Sequence, residues 1–219
     1  MKIIRSLWPL CLMALIPLSN IFYMQVNTSE RGASSLATDL DAAIPFVKAF
    51  IIPYLGWYVF IFAVMFYFLL KERKLYYRTL WTLLAGLFVC YFVYYVFQTV
   101  APRPIVTGDD GLARLVRFVY SQDGRYNCFP SIHCFTSFLM MRALNSASWR
   151  TIVNQTVIYT AGTLIILSTL LVKQHVVIDA LSAILLANAV FAAISRWSMT
   201  WREVVVKGGG AYRGRENLE

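Results

Sequence analysis

The sequence predicts an all-α integral membrane protein: a bundle of six transmembrane helices, with a short interfacial helix in the loop between the third and fourth spans. Three observations carry that reading. Of the 219 residues, 59% are hydrophobic and only 14% charged, and the mean hydropathy is +0.61, a balance wrong for a soluble globule of this size. Apolar runs recur at about 17 to 25 residues, the length that crosses a bilayer as a helix. The Lys and Arg residues, 20 in all, divide unevenly between the segments on the two sides.

The candidate spans cover residues 6–24, 46–70, 79–100, 129–145, 152–172 and 176–198, the fourth being the least hydrophobic. Together they form one catalytic membrane domain over residues 1–200. The first follows Lys2 and Arg5 like a signal peptide, but it carries Pro9 and Pro17 and no small-x-small cleavage site, so it is read as a retained span. With the N-terminus inside, thirteen of the 20 cationic residues lie on the inner side and seven outside, which predicts both termini in the cytoplasm.

The net charge of +9 is then the ordinary excess of inner loops. No basic patch interleaved with aromatics lies on a soluble segment, so nucleic acid is excluded as a partner and the lipid bilayer takes its place. Cys11, Cys90, Cys128 and Cys134 form no CxxC pair or regular framework, which argues against a disulfide or metal scaffold.

Among the connections, residues 25–44 read as a polar outer loop ending in LDAAIPF, where Asp41 and Pro45 suit a helix start. Its Asn27-Thr28-Ser29 matches a glycosylation sequon, meaningful only in a eukaryotic secretory setting. The longest interior loop runs from Ala101 to Cys128 and turns at Gly108-Asp109-Asp110-Gly111. Leu112, Leu115, Val116 and Val119 follow at helical spacing, with Arg114 and Arg117 off the stripe; this fits a helix in the membrane interface or one packed on the bundle. Residues 201–219 read as a basic, disordered tail whose last two residues resemble a cloning remnant.

Polar residues that interrupt this apolar chain need a reason, and they converge on one membrane face. Arg103 stands in PRP after the third span, Ser131 and His133 in FPSIH at the start of the fourth, and STLLVKQHVVID, from Ser168 to Asp179, joins the fifth to the sixth. Singly, each has a plain explanation: an interfacial anchor, a helix cap, a hydrogen-bonded structural histidine. Asp179 is harder to set aside. A carboxylate one turn into a spanning helix costs about 2.5 to 3.5 kcal/mol at the centre unless paired, and His175 stands four residues before it, on the same helical face. Both histidines of the chain belong to this set.

PSIH, followed downstream by ST, five residues, His, three residues and Asp, resembles the second and third signature motifs of the type 2 phosphatidic acid phosphatase superfamily, PSGH and SRxxxxxHxxxD. Arg103-Pro104 matches the end of the first motif, KxxxxxxRP, and Leu40 to Tyr58 resembles the start of the second span in bacterial members. Three positions depart: Val96 stands for the motif lysine, Thr169 for the arginine after the serine, and Ile132 for the glycine. Such departures resemble the branch that includes the inositolphosphoryl-ceramide synthases. Lys173 and Arg125, with Gln98 a weaker polar candidate, could supply the missing charge.

The chain reads as a multi-pass protein of a bacterial plasma membrane, and the loop charges put its active site on the outer or periplasmic face. The resemblance implies hydrolysis of a lipid phosphomonoester or pyrophosphate, of the phosphatidic acid, phosphatidylglycerol phosphate or polyprenyl pyrophosphate class, through a phosphohistidine. His175 is the implied nucleophile, Asp179 its orienter and His133 the acid and base. Arg103, Lys173, Ser131, Ser168 and Arg125 are the implied phosphate-binding residues, with no metal and no cofactor. Transfer of a phospho-headgroup to an alcohol is the alternative. A transporter or channel is the rival from another class, because intramembrane ionisable groups also line ion paths. Zinc held by the two histidines and the aspartate ranks below metal-free transfer, since the cations nearby repel it.

Overall fold

The structure is a computed structural model that describes residues 8–27 and 32–213, with side chains as far as Trp197. The chain is helical almost throughout. A 3₁₀ segment, Trp8–Ala14, leads into α1 (Leu15–Val26); a short β1 (Ser34–Ser35) and α2 (Asp39–Ala43) follow. Then come α3 (Ile51–Lys71), α4 (Arg73–Val96), β2 (Thr99–Val100), α5 (Gly111–Gln122), α6 (Ile132–Asn145), α7 (Ile152–Leu171) and α8 (Val177–Arg213). The sequon's Thr28 and Ser29 and the last two residues lie outside the described set. Helix α8 continues past Trp201, where a disordered tail was expected to begin, as far as Arg213.

Local chemistry sets most boundaries. Glu72 is extended (φ −155°, ψ 102°) and separates α3 from α4 in one residue. Asp110 caps α5 by accepting from Ala113 N at 3.0 Å, and Ser131 caps α6 by accepting from Cys134 N at 3.3 Å. Thr151 and Asn154 close a reciprocal capping box on α7, at 2.9 and 3.3 Å.

Five segments among the described residues are long and apolar enough to cross a membrane: Trp8–Val26, Lys48–Lys71, Arg73–Val96, Ile152–Leu171 and Val177–Trp197. These fit a multi-pass membrane protein. The segment expected as the fourth span, 129–145, is instead a helix of 14 residues starting at Ile132. Fourteen residues rise about 21 Å, short of the roughly 30 Å of a hydrocarbon core. FPS is spent on the approach and the cap, and the helix that remains carries His133, Thr136, Ser137 and Arg142. Its neighbours explain why that polarity is tolerated: α6 packs against α3, α4, α7 and α8, and Phe135, Leu139, Met140 and Leu144 are buried there.

Helix α5 forms where expected. Its Val116 and Val119 pack with Ile51, Tyr54 and Val172, so the apolar stripe rests on the bundle, whereas Leu115 and Phe118 are exposed. The loops at this end of the bundle are stitched together. β1 and β2 pair in parallel, Ser34 with Thr99 and Ser35 with Val100, and Ala101 N donates to Arg125 O at 3.3 Å.

The contact of α4 with α6 is set by Gly86. A Cβ there would lie 1.9 Å from Cζ of the fully buried Phe135 ring, so something would have to shift. Gly86→Val should destabilise the protein by about 1–3 kcal/mol or more through overpacking. Gly56→Ala, where a Cβ meets open space, should be neutral or stabilising. Thermal unfolding of the two variants in detergent checks both.

Candidate active site

The ends that meet at this pole are the C-termini of α1, α4 and α7 and the N-termini of α3, α6 and α8. They enclose a cavity of about 400 Å³ lined by His133, His175, Arg103, Gln174, Tyr54 and Trp57 among others, with Phe118 and Val119 of α5 over it. His133 projects from the first turn of α6 between Tyr54 and Trp57, with ring centroids at 4.6 and 4.1 Å. The His133 and His175 rings are 5.8 Å apart, within reach of one small group between them.

His175 is 9% exposed and Asp179 wholly buried; Nδ1 of the one lies 3.4 Å from Oδ2 of the other, an ion-pair distance without an aligned hydrogen bond. Asp179 Oδ2 accepts from Val176 N at 2.9 Å, so the carboxylate caps its own helix while facing the imidazole. Its backbone carbonyl accepts from Ser131 N at 3.1 Å, which fastens the start of α6 to the start of α8. His175 N donates to Thr169 O at 3.1 Å, folding the five-residue reversal between α7 and α8 back on itself.

Arg103 has four Nη protons, and four protein oxygens meet them. Nη1 donates to Asp123 O at 2.8 Å and to Tyr120 O at 3.5 Å; Nη2 donates to Gly124 O at 3.0 Å and to Gln174 Oε1. The guanidinium also stacks on Tyr120, 4.6 Å from the ring centre. Burial pushes the Tyr120 phenol up to about 12 despite the nearby guanidinium, and it donates to Val172 O at 2.7 Å. Of the donors on these two residues, Arg103 Nε and Gln174 Nε2 are buried without a protein partner.

The other expected phosphate-binding residues separate. Ser131 is buried and occupied as the cap of α6. Ser168 is buried and donates to Ile165 O at 2.6 Å, within its own helix. Arg125 is exposed and does not line the cavity. Lys173, with φ 55°, turns to a second cavity of about 390 Å³, where Nζ donates to Asp41 O at 2.7 Å and to Ile44 O. Gln98 is buried, donating to Val26 O at 2.8 Å and to Asn127 Oδ1 at 3.2 Å, away from both cavities. The donor atoms that cluster within 4.8 Å are those of Cys128, His175 and Asp179, so His133 is not part of the group that the zinc alternative requires.

Several residues had no sequence signal as site residues. Asp123 accepts from Tyr23 Oη at 2.6 Å and Tyr54 Oη at 3.2 Å, a polar floor assembled from three distant segments. Trp57 Nε1 donates to Thr136 Oγ1 at 2.7 Å, which holds the indole against His133. Gln174 stands in plain view beside His175, yet its amide becomes interesting only because it touches Arg103.

A family model described as the PAP2 superfamily matches residues 35–193. The chain belongs to the PAP2 superfamily. The match spans all three motif segments, from before α2 to the middle of α8, and it supports a phosphatase-type activity on lipid phosphates. No curated protein and no solved structure matches the chain significantly.

Asp41 supports this site from behind. Burial raises its carboxyl pKa, but hydrogen bonds from Val177 N, Thr38 N and Thr38 Oγ1, with the charge of Lys173, outweigh burial and hold it below the ordinary carboxylate value. A depressed pKa means the stabilisation is complete above about pH 4 and is lost as pH falls through the lower folded value. Asp41→Ala should therefore cost about 0.5–2 kcal/mol at neutral pH, as other lost caps do, with the difference shrinking in acid. Unfolding of both proteins from pH 7 down to pH about 3 tests the sign.

Proposed function

We propose that this protein is a membrane enzyme that moves a phosphoryl group of a lipid phosphate through a phosphohistidine, with water as the simplest acceptor and an alcohol as the second. The observation that carries this reading is the pair of histidines 5.8 Å apart, one backed by a buried carboxylate and the other lodged in an aromatic slot.

His175 attacks phosphorus through Nε2 as the neutral imidazole. Asp179 holds the proton on Nδ1 and stabilises the positive charge that develops as the P–N bond forms. His133 gives its proton to the departing lipid oxygen and takes one from the acceptor in the second step, in which the P–N bond breaks. Arg103 Nε and the Gln174 amide meet the non-bridging oxygens, and the remaining donor of Lys173 faces the same histidine from the second cavity. The alcohol acceptor is favoured by one specific feature. Where the motifs have a further lysine and arginine, this chain has Val96 and Thr169, and the donor next to Arg103 is a neutral amide.

The bundle is read as crossing a plasma membrane with both termini inside, the short α6 carrying the chain back from the histidine pole among the five longer segments, so that this pole faces outward, on the strength of the uneven cationic residues. The lipid and the bilayer are then its partners.

Purified protein given a radiolabelled lipid phosphate should carry an acid-labile, base-stable phosphate that is absent from His175→Ala. His133→Ala should lower turnover by about 10²–10⁴-fold, the usual contribution of a general acid. Equal background release by wild type and His175→Ala, together with ion flux through reconstituted wild type, would move the protein to the transporter class.

Lys173→Ala and Gln174→Ala separate the two sources of the extra donor. Loss of about 1.5–3 kcal/mol of transition-state stabilisation, or roughly 10–150-fold in kcat/KM, is expected at Gln174, as for a hydrogen bond to a charged group. A larger loss at Lys173 would return the clamp to the lysine.

A further inference from the structure

Cys128 lines the first cavity together with His175, and the chemistry proposed above gives it no part. Its Sγ, a ring nitrogen of His175 and a carboxylate oxygen of Asp179 lie within 4.8 Å of one another, and all three residues are buried. The hydrogen bonding of this group is incomplete. His175 Nδ1 stands 3.4 Å from Asp179 Oδ2 without an aligned proton between them, and Asp179 Oδ1 has no hydrogen-bond partner among the described residues. The Cys128 thiol meets only backbone carbonyls, Arg125 O at 3.2 Å and Gln174 O at 3.7 Å. A point central to three atoms no more than 4.8 Å apart is at most about 2.8 Å from each, and zinc bonds to sulfur, nitrogen and oxygen run about 2.0–2.3 Å. Closing the difference asks about half an ångström of each group. The 3.4 Å between Nδ1 and Oδ2 is already the edge of a tetrahedron with bonds of about 2.1 Å.

We infer that Cys128, His175 and Asp179 form a site for zinc or a similarly soft divalent cation, and that its occupation switches the enzyme off. The switch rests on the phosphohistidine reading above; the metal site does not. The charges support it. A thiolate and a carboxylate together carry two negative charges, which a divalent cation cancels. The repulsion expected from the neighbouring cations is met locally: Arg103 is turned to the carbonyls of Tyr120, Asp123 and Gly124 and to Gln174 Oε1, and the Lys173 ammonium to the carbonyls of Asp41 and Ile44. Sulfur decides the metal, because thiolate selects zinc over magnesium and calcium, which prefer oxygen ligands.

On binding, the Cys128 S–H proton leaves to solvent and its electron pair goes to the metal, while Asp179 gives a carboxylate lone pair and neutral His175 the lone pair of its one unprotonated nitrogen. Nothing is oxidised or reduced. A neutral imidazole has a single such lone pair, so whichever ring nitrogen the metal takes, none remains to attack phosphorus.

The test titrates cobalt(II) alone into the full-length protein in detergent, because cobalt takes zinc's place and gives a thiolate-to-metal charge-transfer band in the near ultraviolet. Wild type should show that band at one cobalt per chain and lose it as zinc is added, whereas excess magnesium should leave it unchanged. Cys128→Ala and Cys128→Ser should both lack the band, and Cys128→Ala should bind zinc about 100-fold or more weakly, beyond what loss of an outer-shell partner costs. Cys134→Ala, whose thiol lies beside Thr169, should keep it. Folded wild type without the band, or a band that persists in Cys128→Ala, overturns the site. Lipid phosphate turnover tests the switch. Cys128→Ala should match wild type without metal and need about 100-fold more zinc for half inhibition; zinc held by the lipid phosphate itself drops out of the comparison, since both proteins meet the same substrate. Equal sensitivity of the two proteins overturns the switch and leaves the site. A cobalt band with no turnover of any lipid phosphate by either protein overturns the phosphohistidine reading, and the switch with it, and keeps the metal site.

Discussion

A buried carboxylate is costly without partners, and the groups that meet Asp179 Oδ2 and its backbone carbonyl organise this pole of the molecule. Its side chain caps α8 and faces His175, and its carbonyl receives the amide of Ser131. Remove the carboxylate and the imidazole loses the charged group that faces its Nδ1 at 3.4 Å. Remove the carbonyl contact and the start of α6, which carries His133, loses its tie to the start of α8. The two histidines are therefore not independently placed. Their separation is a property of one hydrogen-bonded junction between two helices, whose Ser131 and Asp179 are both fully buried.

Around that junction the loops act as clamps more than as connections. Arg103 draws in the carbonyls at Asp123 and Gly124 and the amide of Gln174, so a single guanidinium gathers the turn after α5 and the approach to α8. Tyr120 adds a stacking face and reaches Val172. Most of the positive charge expected to grip substrate is thus spent on holding the walls, with the fifth donor of Arg103 still open. This economy suits a ligand with low charge better than one with high charge. It also explains why a lysine or arginine count made along the chain says little about how much cationic character substrate will meet.

The bundle could be read from the sequence because apolar length is local information. Five runs long enough to cross were visible without any partner in view. In the stretch 129–145 only Ile132–Asn145 is helical, shorter than its apolar run, because much of that apolar content answers to neighbouring helices; Phe135 and Met140 are core residues of a short central helix. The centre of the site was legible for a related reason: His175 and Asp179 sit one turn apart, and their spacing survives folding. Arg103 and His133 were found through their motifs and come to the same cavity. Lys173 looked like a clamp because its number lies two before His175, but the left-handed backbone at that residue turns its side chain toward Asp41. The same turn brings Gln174 to Arg103. Asp123, Tyr23 and Tyr54 were invisible since their meeting joins positions 69 and 100 residues apart.

Asp41 is the farthest-reaching of these contacts. It accepts from the amide of Val177, 136 positions away, while its carbonyl receives the ammonium of Lys173 across 132. Closing so long a loop is entropically late work for a chain. The reversal that carries His175 can therefore take its final shape only once an early segment, emerging well before it during synthesis, has waited for the last helix to arrive. His175 reaches its place at the end of folding, and a bundle whose spans have inserted but whose ends have not met has not yet formed the site.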